Sequence, residues 1–133
     1  MRELLRSSRT IAVVGMSDKP DRDSNQVGRF LMEKGYRVIP VNPAVSEVYG
    51  QRSYPSLKEV PPDVTVDIVD VFRRSEAVPD IVEEALSRSP PPKAVWLQLG
   101  VRDDPSGTKV EARGVGFAQD LCIMVQHRRL LRA

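Results

Sequence analysis

Apolar residues occur along the chain in short β-branched runs that alternate with stretches of helical spacing. The first run, 11–14, reads Ile-Ala-Val-Val and ends at Gly15. Short apolar runs bounded by Gly or Pro are typical of strands buried on both faces of a parallel sheet. In the next stretch Val27, Phe30 and Leu31 stand at i, i+3 and i+4, which predicts a helix with one apolar face. The whole pattern predicts strands at 11–14, 36–43, 64–72, 93–99 and 115–118, and helices at 1–8, 24–34, 75–89, 105–113 and 121–131.

Polar residues and glycine mark the expected ends of these helices. Ser24 or Asn25 is expected to cap the helix at 24–34, and Gly35 is expected to end it. Ser75 is a predicted N-cap for the helix at 75–89. Ser56 is expected to cap a short helical turn before the prolines that follow Val60.

Strand and helix alternate five times without an internal repeat or a linker. This order predicts an α/β fold, a single doubly wound, mainly parallel five-stranded sheet with helices on both faces and right-handed crossovers. Ligands bind to such sheets beyond the carboxyl ends of the strands, where the strand order reverses. The residues predicted at those ends are 15–17, 41–43, 72–74 and 98–101.

The loop after the first strand is the first candidate site. A strand that ends in Gly15 and continues through a polar loop into a helix presents backbone N–H groups and a positive helix end to an anion, usually a phosphate. A plain strand-helix-strand unit with an empty crevice would have the same local pattern. From the pattern alone both interpretations stay open.

The details of this loop bear on which nucleotide it could bind. In a dinucleotide loop G-x-G-x-x-G is expected, but Ser17 and Pro20 stand where further glycines belong. The second strand ends in Asn42-Pro43, so no carboxylate is present to hold a ribose diol. NAD is therefore disfavoured. The motif G-x-x-x-x-G-K-[ST] is also absent, which argues against a P-loop nucleotidase.

Composition narrows the class of protein. The 133 residues are expected to form one domain, 1–133, that folds without a metal or a disulfide, since there is one cysteine. No apolar run approaches the roughly 20 residues of a membrane span, and the N-terminus lacks a signal-peptide core, so a cytoplasmic protein is expected. A net charge of +2 from interleaved charges does not indicate nucleic-acid binding. The basic stretch 127–132 is interpreted as a cationic helix end that complements the helix dipole.

No catalytic or metal-binding constellation is evident in the sequence. The one histidine, His127, lies far along the last predicted helix and is interpreted as a cap or packing residue. Cys122 lies at or near the start of that helix, where it is either a thiol of lowered pKa or a small buried residue. Solvation at a strand edge, or a cap, explains Asp67 and Asp70 more simply than paired acid–base catalysis. The residues favour a binding protein over an enzyme.

Five stretches of the chain carry a family resemblance: 11–24, 35–43, 54–57, 67–74 and 95–101. Pro-Val-Asn-Pro and Val-Phe-Arg-Arg are the more specific motifs among them. In order, and over nearly the whole chain, these stretches resemble the small stand-alone CoA-binding proteins of Rossmann-like fold. That family is similar to the CoA-binding domain of the succinyl-CoA synthetase α subunit.

The resemblance implies that coenzyme A, free or acylated, binds across the carboxyl edge of the sheet, and it implies a role for each nearby residue. The expected diphosphate contacts are Gly15, the backbone N–H groups of Met16 and Ser17, the helix start near Ser24, and the cations Lys19 and Arg22. Asn42 and Pro43 would border the ribose and its 3′-phosphate. Val71, Phe72 and Arg73 would flank the adenine or the pantetheine, with Arg73 as a phosphate contact, and Gln98, Gly100 and Val101 would line the pantetheine path.

Each of these roles has a simpler alternative in the fold. Phe72 could belong to the core, Lys19 and Arg22 could be solvated, and Arg73 could pair with Asp21 or Asp23. Three functions stay open: a non-catalytic CoA or acyl-CoA binding module, a ligase-like subunit that needs a partner, and a nucleotide-dependent oxidoreductase. A protein partner or a homo-oligomer also stays open, whereas nucleic acid and membrane are not expected as partners.

Overall fold

The computed structural model describes residues 1–131, and strand and helix alternate along them as the sequence predicts. Two 3-10 turns, Leu57–Glu59 and Ser75–Ala77, complete the regular structure. The strands are β1 (Thr10–Val14), β2 (Arg37–Val41), β3 (Glu47–Val48), β4 (Gln51–Arg52), β5 (Ile68–Val71), β6 (Ala94–Leu97) and β7 (Gly116–Ala118). The helices are α1 (Arg2–Ser7), α2 (Asp23–Glu33), α3 (Val78–Leu86), α4 (Asp104–Ala112) and α5 (Ile123–Leu130).

The main sheet has five parallel strands in the order β2-β1-β5-β6-β7. From β1 the chain moves outward to β2 and then returns across β1 to place β5 on its other side. The strand order therefore reverses between β1 and β5, and a crevice opens beyond their carboxyl ends. The predicted fold class, a Rossmann-like α/β sheet, is confirmed.

Helices cover both faces of the sheet because successive side chains of each strand point to opposite sides. Val69 of β5 packs with the apolar stripe of α3 and with Val110 of α4. Ile68, its neighbour in β5, packs in a second cluster with residues of α1, α2 and α5. The carboxyl edge of the sheet is thus bordered on one face by α2 and α5 and on the other by α3.

Strand β5 is shorter than the predicted strand at 64–72. Its ladder begins only at Ile68, beside Ile11 of β1. Just before it, the Asp67 carboxylate accepts hydrogen bonds from the backbone N–H groups of Arg9 and Thr10, at 2.8 and 3.0 Å. Of the two roles expected for Asp67, solvation at a strand edge or a cap, the structure shows the cap, which marks where the chain joins the sheet.

The predicted serine caps at Ser24 and Ser75 are wrong, because both hydroxyls bond to other parts of the fold. Helix α2 begins at Asp23 without a side-chain cap, and the Ser24 hydroxyl accepts instead from the backbone N–H of Ser17. Ser75 lies in the 3-10 turn before α3, and its hydroxyl accepts from the N–H of Arg102. Ser56 does occupy the N-cap position of its turn, although its side chain makes no cap hydrogen bond. Ser24 and Ser75 hold loops at the carboxyl edge of the sheet.

A small hairpin of β3 and β4 interrupts the stretch that the sequence analysis left without regular structure. Its two-residue turn is Tyr49-Gly50, in which both residues have positive φ, 50° and 78°. Strands of two residues are too short to produce a readable period, which is why the pattern did not predict them.

Helix α5 accounts for the histidine and for most of the basic stretch. His127 is 8% exposed and its ring packs edge-on against Phe30 and Tyr36, so it is a packing residue as predicted. Its burial, together with the nearby charge of Lys34, lowers the pKa of His127. Arg128 and Arg129 lie in the last turn of α5, where a cation complements the dipole, and Arg132 lies outside the described residues.

Residues 1–131 contain neither a membrane-spanning helix nor a cluster of metal-binding side chains. Each helix there is too short or too polar to cross a membrane. In that same part of the chain, no group of three His, Cys, Asp or Glu side chains is placed to hold a metal ion.

Asp70 differs from expectation. It lies on the central strand β5, between Val13 and Trp96 in the register, and it is fully buried. Neither carboxylate oxygen has a hydrogen-bond partner among the described residues. Burial raises the pKa of the Asp70 carboxyl well above its usual range. The expectation of a solvated or capping carboxylate is therefore wrong for Asp70, because the strand that carries it is interior.

Substitution Asp70→Asn should change how stability depends on pH. Between the ordinary pKa of Asp, about 3.9, and the raised pKa in the fold, the folded chain keeps a proton that the unfolded chain loses. The free energy of unfolding contributed by this group therefore falls as pH rises through that window. Urea titrations at several pH values should show that Asp70→Asn lacks this fall, whereas the exposed control Asp63→Asn keeps it. If the free energy of unfolding depended on pH in the same way in wild type and in Asp70→Asn, the interpretation would be wrong.

Gly15 stands where the ends of β1 and β5 come closest. Its φ is +91°, and a Cβ atom there would lie 2.5 Å from the carbonyl oxygen of Phe72. Gly35 has a similar φ of +96° with no atom within 4 Å of such a Cβ, so it is a matched control.

Gly35→Ala should cost about 1–2 kcal/mol of stability, from the positive φ alone. Gly15→Ala should cost roughly 1–3 kcal/mol more, since the methyl group also collides with backbone that cannot move aside. Equilibrium unfolding in urea measures both values. Equal losses would mean that the β1 and β5 ends are not held against each other.

Candidate ligand-binding site at the carboxyl edge

The loop between β1 and α2 is held by polar side chains that are buried or half-buried. The side-chain amide of Asn42 donates to the Met16 carbonyl and that of Asn25 donates to the Ser17 carbonyl, both at 2.9 Å. The Ser17 hydroxyl accepts from the N–H of Lys19 at 3.0 Å. Together with the hydrogen bond from the Ser17 N–H to the Ser24 hydroxyl, these contacts fix the loop. The carbonyl groups of Met16 and Ser17 are already hydrogen-bonded within the fold.

Asn25 is the central member of this network. It is fully buried, and its side-chain oxygen accepts a hydrogen bond from the Tyr49 hydroxyl at 2.6 Å. The small hairpin and α2 are thereby joined directly under the loop. The sequence offered Asn25 only as a helix cap, and its role in holding the loop depends on contacts that no local pattern reveals.

These contacts correct the expected roles of three residues. Met16 has no accessible surface, so neither its amide nor its side chain faces a ligand. The Ser17 N–H is already bound to Ser24, which leaves the Ser17 hydroxyl proton as the free donor. Asn42 uses its amide on Met16 and its oxygen on the N–H of Ala44, so it supports the loop.

Three cavities adjoin one another along this edge. The loop cavity, of about 480 Å³, is lined by Gly15, Ser17, Lys19, Asp21, Arg22, Asp23, Ser24 and Phe72. The interhelix cavity, of about 520 Å³, lies between α2 and α5 and is lined by Asp23, Gln26, Val27, Phe72, Arg73, Arg74, Gln98, Leu99, Val101, Cys122, Met124 and Val125. The proline cavity, of about 210 Å³, is lined by Val14, Val41, Pro43, Pro55, Ser56, Leu57, Arg73, Ala77, Asp80, Ile81 and Glu84. Asp23 and Phe72 join the first two, and Arg73 joins the last two.

The predicted site residues divide among these cavities. Ten of them line one or more cavities: Gly15, Ser17, Lys19, Arg22, Ser24, Pro43, Phe72, Arg73, Gln98 and Val101. Val71 is fully buried in the core on the α3 face, which corrects the expectation that its side chain flanks the ligand. Gly100 shapes its turn instead, with a φ of +81° and an N–H that donates to Asp120 at 2.7 Å.

The cations at this edge are free of ion pairs within the described residues. Arg73, Arg74, Lys19 and Arg22 are exposed, and the ion pairs of residues 1–131 all lie elsewhere. The alternative in which Arg73 pairs with Asp21 or Asp23 is therefore wrong in this structure. The loop cavity also contains those two aspartates, so its fixed charges nearly balance.

The contributions of α2 and α5 to the interhelix cavity were not predicted from the sequence. Gln26 and Val27 of α2, and Cys122, Met124 and Val125 at the start of α5, line the interhelix cavity. The order of elements in the sequence did indicate that α5 would contribute to the site. A helix that follows the last parallel strand must begin at the carboxyl edge, where its first turn can meet a ligand. Gln98 joins the end of β6 to the start of α5, because its side-chain oxygen accepts from the N–H of Ile123 at 3.0 Å.

Comparison with known proteins identifies the family. A family model described as CoA binding domain matches residues 9–128. YneT, an uncharacterized protein of Bacillus subtilis, is 42% identical over 127 residues, which are 96% of this chain and 91% of YneT. The structure of cell-free ID.343 from Thermus thermophilus has a TM-score of 0.90 at 39% identity and covers 98% of this chain and 96% of that one.

A larger relative shares only part of its length with this chain. The alpha subunit of the ADP-forming acetate–CoA ligase II of Pyrococcus furiosus is 39% identical over 67 residues, which are 50% of this chain and 15% of that subunit. The match to the family model, by contrast, extends from β1 into α5. The match to the family model and the nearly complete match to YneT together show that this chain belongs to the CoA binding domain family.

Proposed function

We propose that this protein binds coenzyme A, free or acylated, along the three cavities and without catalysis of its own. The observation that carries the proposal is the uncapped N-terminus of α2, which opens into the loop cavity between Lys19 and Arg22. A helix end with free N–H groups and nearby cations is a site for a phosphate or diphosphate. The diphosphate of CoA would lie there and accept a further hydrogen bond from the Ser17 hydroxyl.

The adenosine end of CoA would occupy the proline cavity. Arg73 borders that cavity, and its planar guanidinium can hold the 3′-phosphate with two parallel hydrogen bonds. Asp80 and Glu84 line the far side and can accept from the amino group of adenine. The strand β2 is followed by Asn42 and Pro43, so it lacks the carboxylate that would hold the ribose diol of NAD.

The pantetheine arm would lie in the interhelix cavity. Val27, Phe72 and Val101 provide apolar contact there, while Gln26 and Asp23 can bond to its amides. No serine or cysteine lining the three cavities is hydrogen-bonded to His127, which packs between Phe30 and Tyr36. That arrangement supports binding over thioester hydrolysis.

A partner-dependent ligase subunit is the second candidate. It is favoured by the similarity to the ligase alpha subunit, of which this chain matches 15%. In that case the bound CoA would be presented to a catalytic partner, and the same three cavities would hold it.

Calorimetry with CoA and NAD tests the proposal. We expect CoA to bind and NAD to bind about tenfold more weakly, because NAD lacks the 3′-phosphate that Arg73 would hold and no carboxylate follows β2 to hold its ribose diol. Equal or tighter binding of NAD would contradict the assignment.

Arg73→Ala should weaken CoA binding by roughly 1.5–3 kcal/mol, the range for a hydrogen bond to a charged group. Its thermal stability should be nearly unchanged, since Arg73 makes no ion pair. Arg29→Ala, exposed on α2 outside the cavities, is the matched control. Dephospho-CoA identifies the partner: if Arg73 holds the 3′-phosphate, the preference for CoA over dephospho-CoA should disappear in Arg73→Ala. A variant that keeps that preference would overturn this contact.

A further inference from the structure

The wall of the interhelix cavity next to α5 is apolar and exposed. Leu99 is 66% exposed and Val125 is 49% exposed. Met124 and Cys122 lie on the same cavity. Single exposed apolar residues are common on protein surfaces, but several that converge on one cavity indicate an apolar ligand. We refer to Leu99, Cys122, Met124 and Val125 as the apolar wall.

The cavity changes character along its length. Its charged side chains are Arg73 and Arg74, which follow β5, and Asp23 at the start of α2, whereas the apolar wall comes from the loop after β6 and the start of α5. A ligand that enters from the loop cavity therefore passes from phosphate-binding groups to an apolar surface. At about 520 Å³ the cavity is within the range of pockets that hold drug-sized ligands.

We propose that the apolar wall binds the aliphatic acyl group of an acyl-CoA, so that the acylated form is the preferred ligand. This inference rests on the proposed binding of CoA, and it adds the class of ligand. The polar end of the molecule is held at the loop cavity, and the pantetheine arm directs the thioester toward α5. With free CoA, Leu99 and Val125 stay in water. An acyl chain covers them, and the burial of its methylene groups supplies the preference.

The test compares CoA with acyl-CoAs of two, four, six and eight carbons by calorimetry. Affinity should rise by two- to fourfold for each methylene group that the wall buries, up to the length that fills the cavity. The double substitution Leu99→Ser and Val125→Ser should abolish this rise while it keeps the affinity for free CoA within about twofold. Arg129→Ser, on α5 and outside the cavities, is the control and should keep the full rise.

The possible results separate the two proposals. If CoA and all its acyl forms fail to bind, the proposed function itself is wrong. If CoA binds and chain length has no effect, or if the double variant keeps the rise, the acyl site is overturned while CoA binding stands. Sedimentation of the same proteins tests the other possible occupant of the apolar wall, a second copy of this chain. A dimer that the double variant dissociates, without any dependence on chain length, would assign the apolar wall to a second copy of this chain and would also overturn the proposal.

Discussion

The binding edge depends on the close approach of two strand ends. Because β1 and β5 lie side by side at the point where the strand order reverses, the loop after β1 must pass directly over the carbonyl group of Phe72. Only a residue without a side chain fits at that crossing, and Gly15 supplies it. From this contact follow the position of α2, whose uncapped end faces the crevice, and the placement of Arg73 between two cavities.

The polar residues beneath the loop show how a binding surface can be fixed without a rigid motif. In a dinucleotide loop, repeated glycines let the backbone approach the phosphates. Here the side chains of Asn25, Asn42 and Ser24 occupy polar groups of the loop backbone from inside. The result is a loop whose exposed groups are side chains and a helix end. Support by side chains fits a loop that keeps only one glycine of the dinucleotide motif G-x-G-x-x-G. It is also consistent with membership of the CoA binding domain family.

The order of elements could be predicted from the sequence, because parallel strands buried on both faces leave short apolar runs. The site could be predicted only in part. Residues that follow a strand were placed correctly at the carboxyl edge, but Met16 and Val71 point into the fold, since their direction depends on strand pairing and helix packing. Serine is a common cap residue, yet the hydroxyl groups of Ser24 and Ser75 bond to residues brought near by tertiary structure. For the same reason, neither the burial of the Asp70 carboxyl group nor the contribution of α5 was visible in a local pattern.

The Tyr49–Asn25 hydrogen bond has a consequence for the order in which the protein folds. The loop is supported by residues 7 to 26 positions away in sequence, and the hairpin that supplies Tyr49 follows β2 in the chain. The Tyr49–Asn25 bond closes a segment of 24 residues, whereas the pairing of β5 with β1 closes 57, and the longer segment costs more entropy to close. The loop, α2 and the hairpin can therefore come together before β5 joins the sheet. A chain at that stage would have its first loop in place but would lack Arg73 and the cavities beside it, so that ligand binding reports the docking of β5.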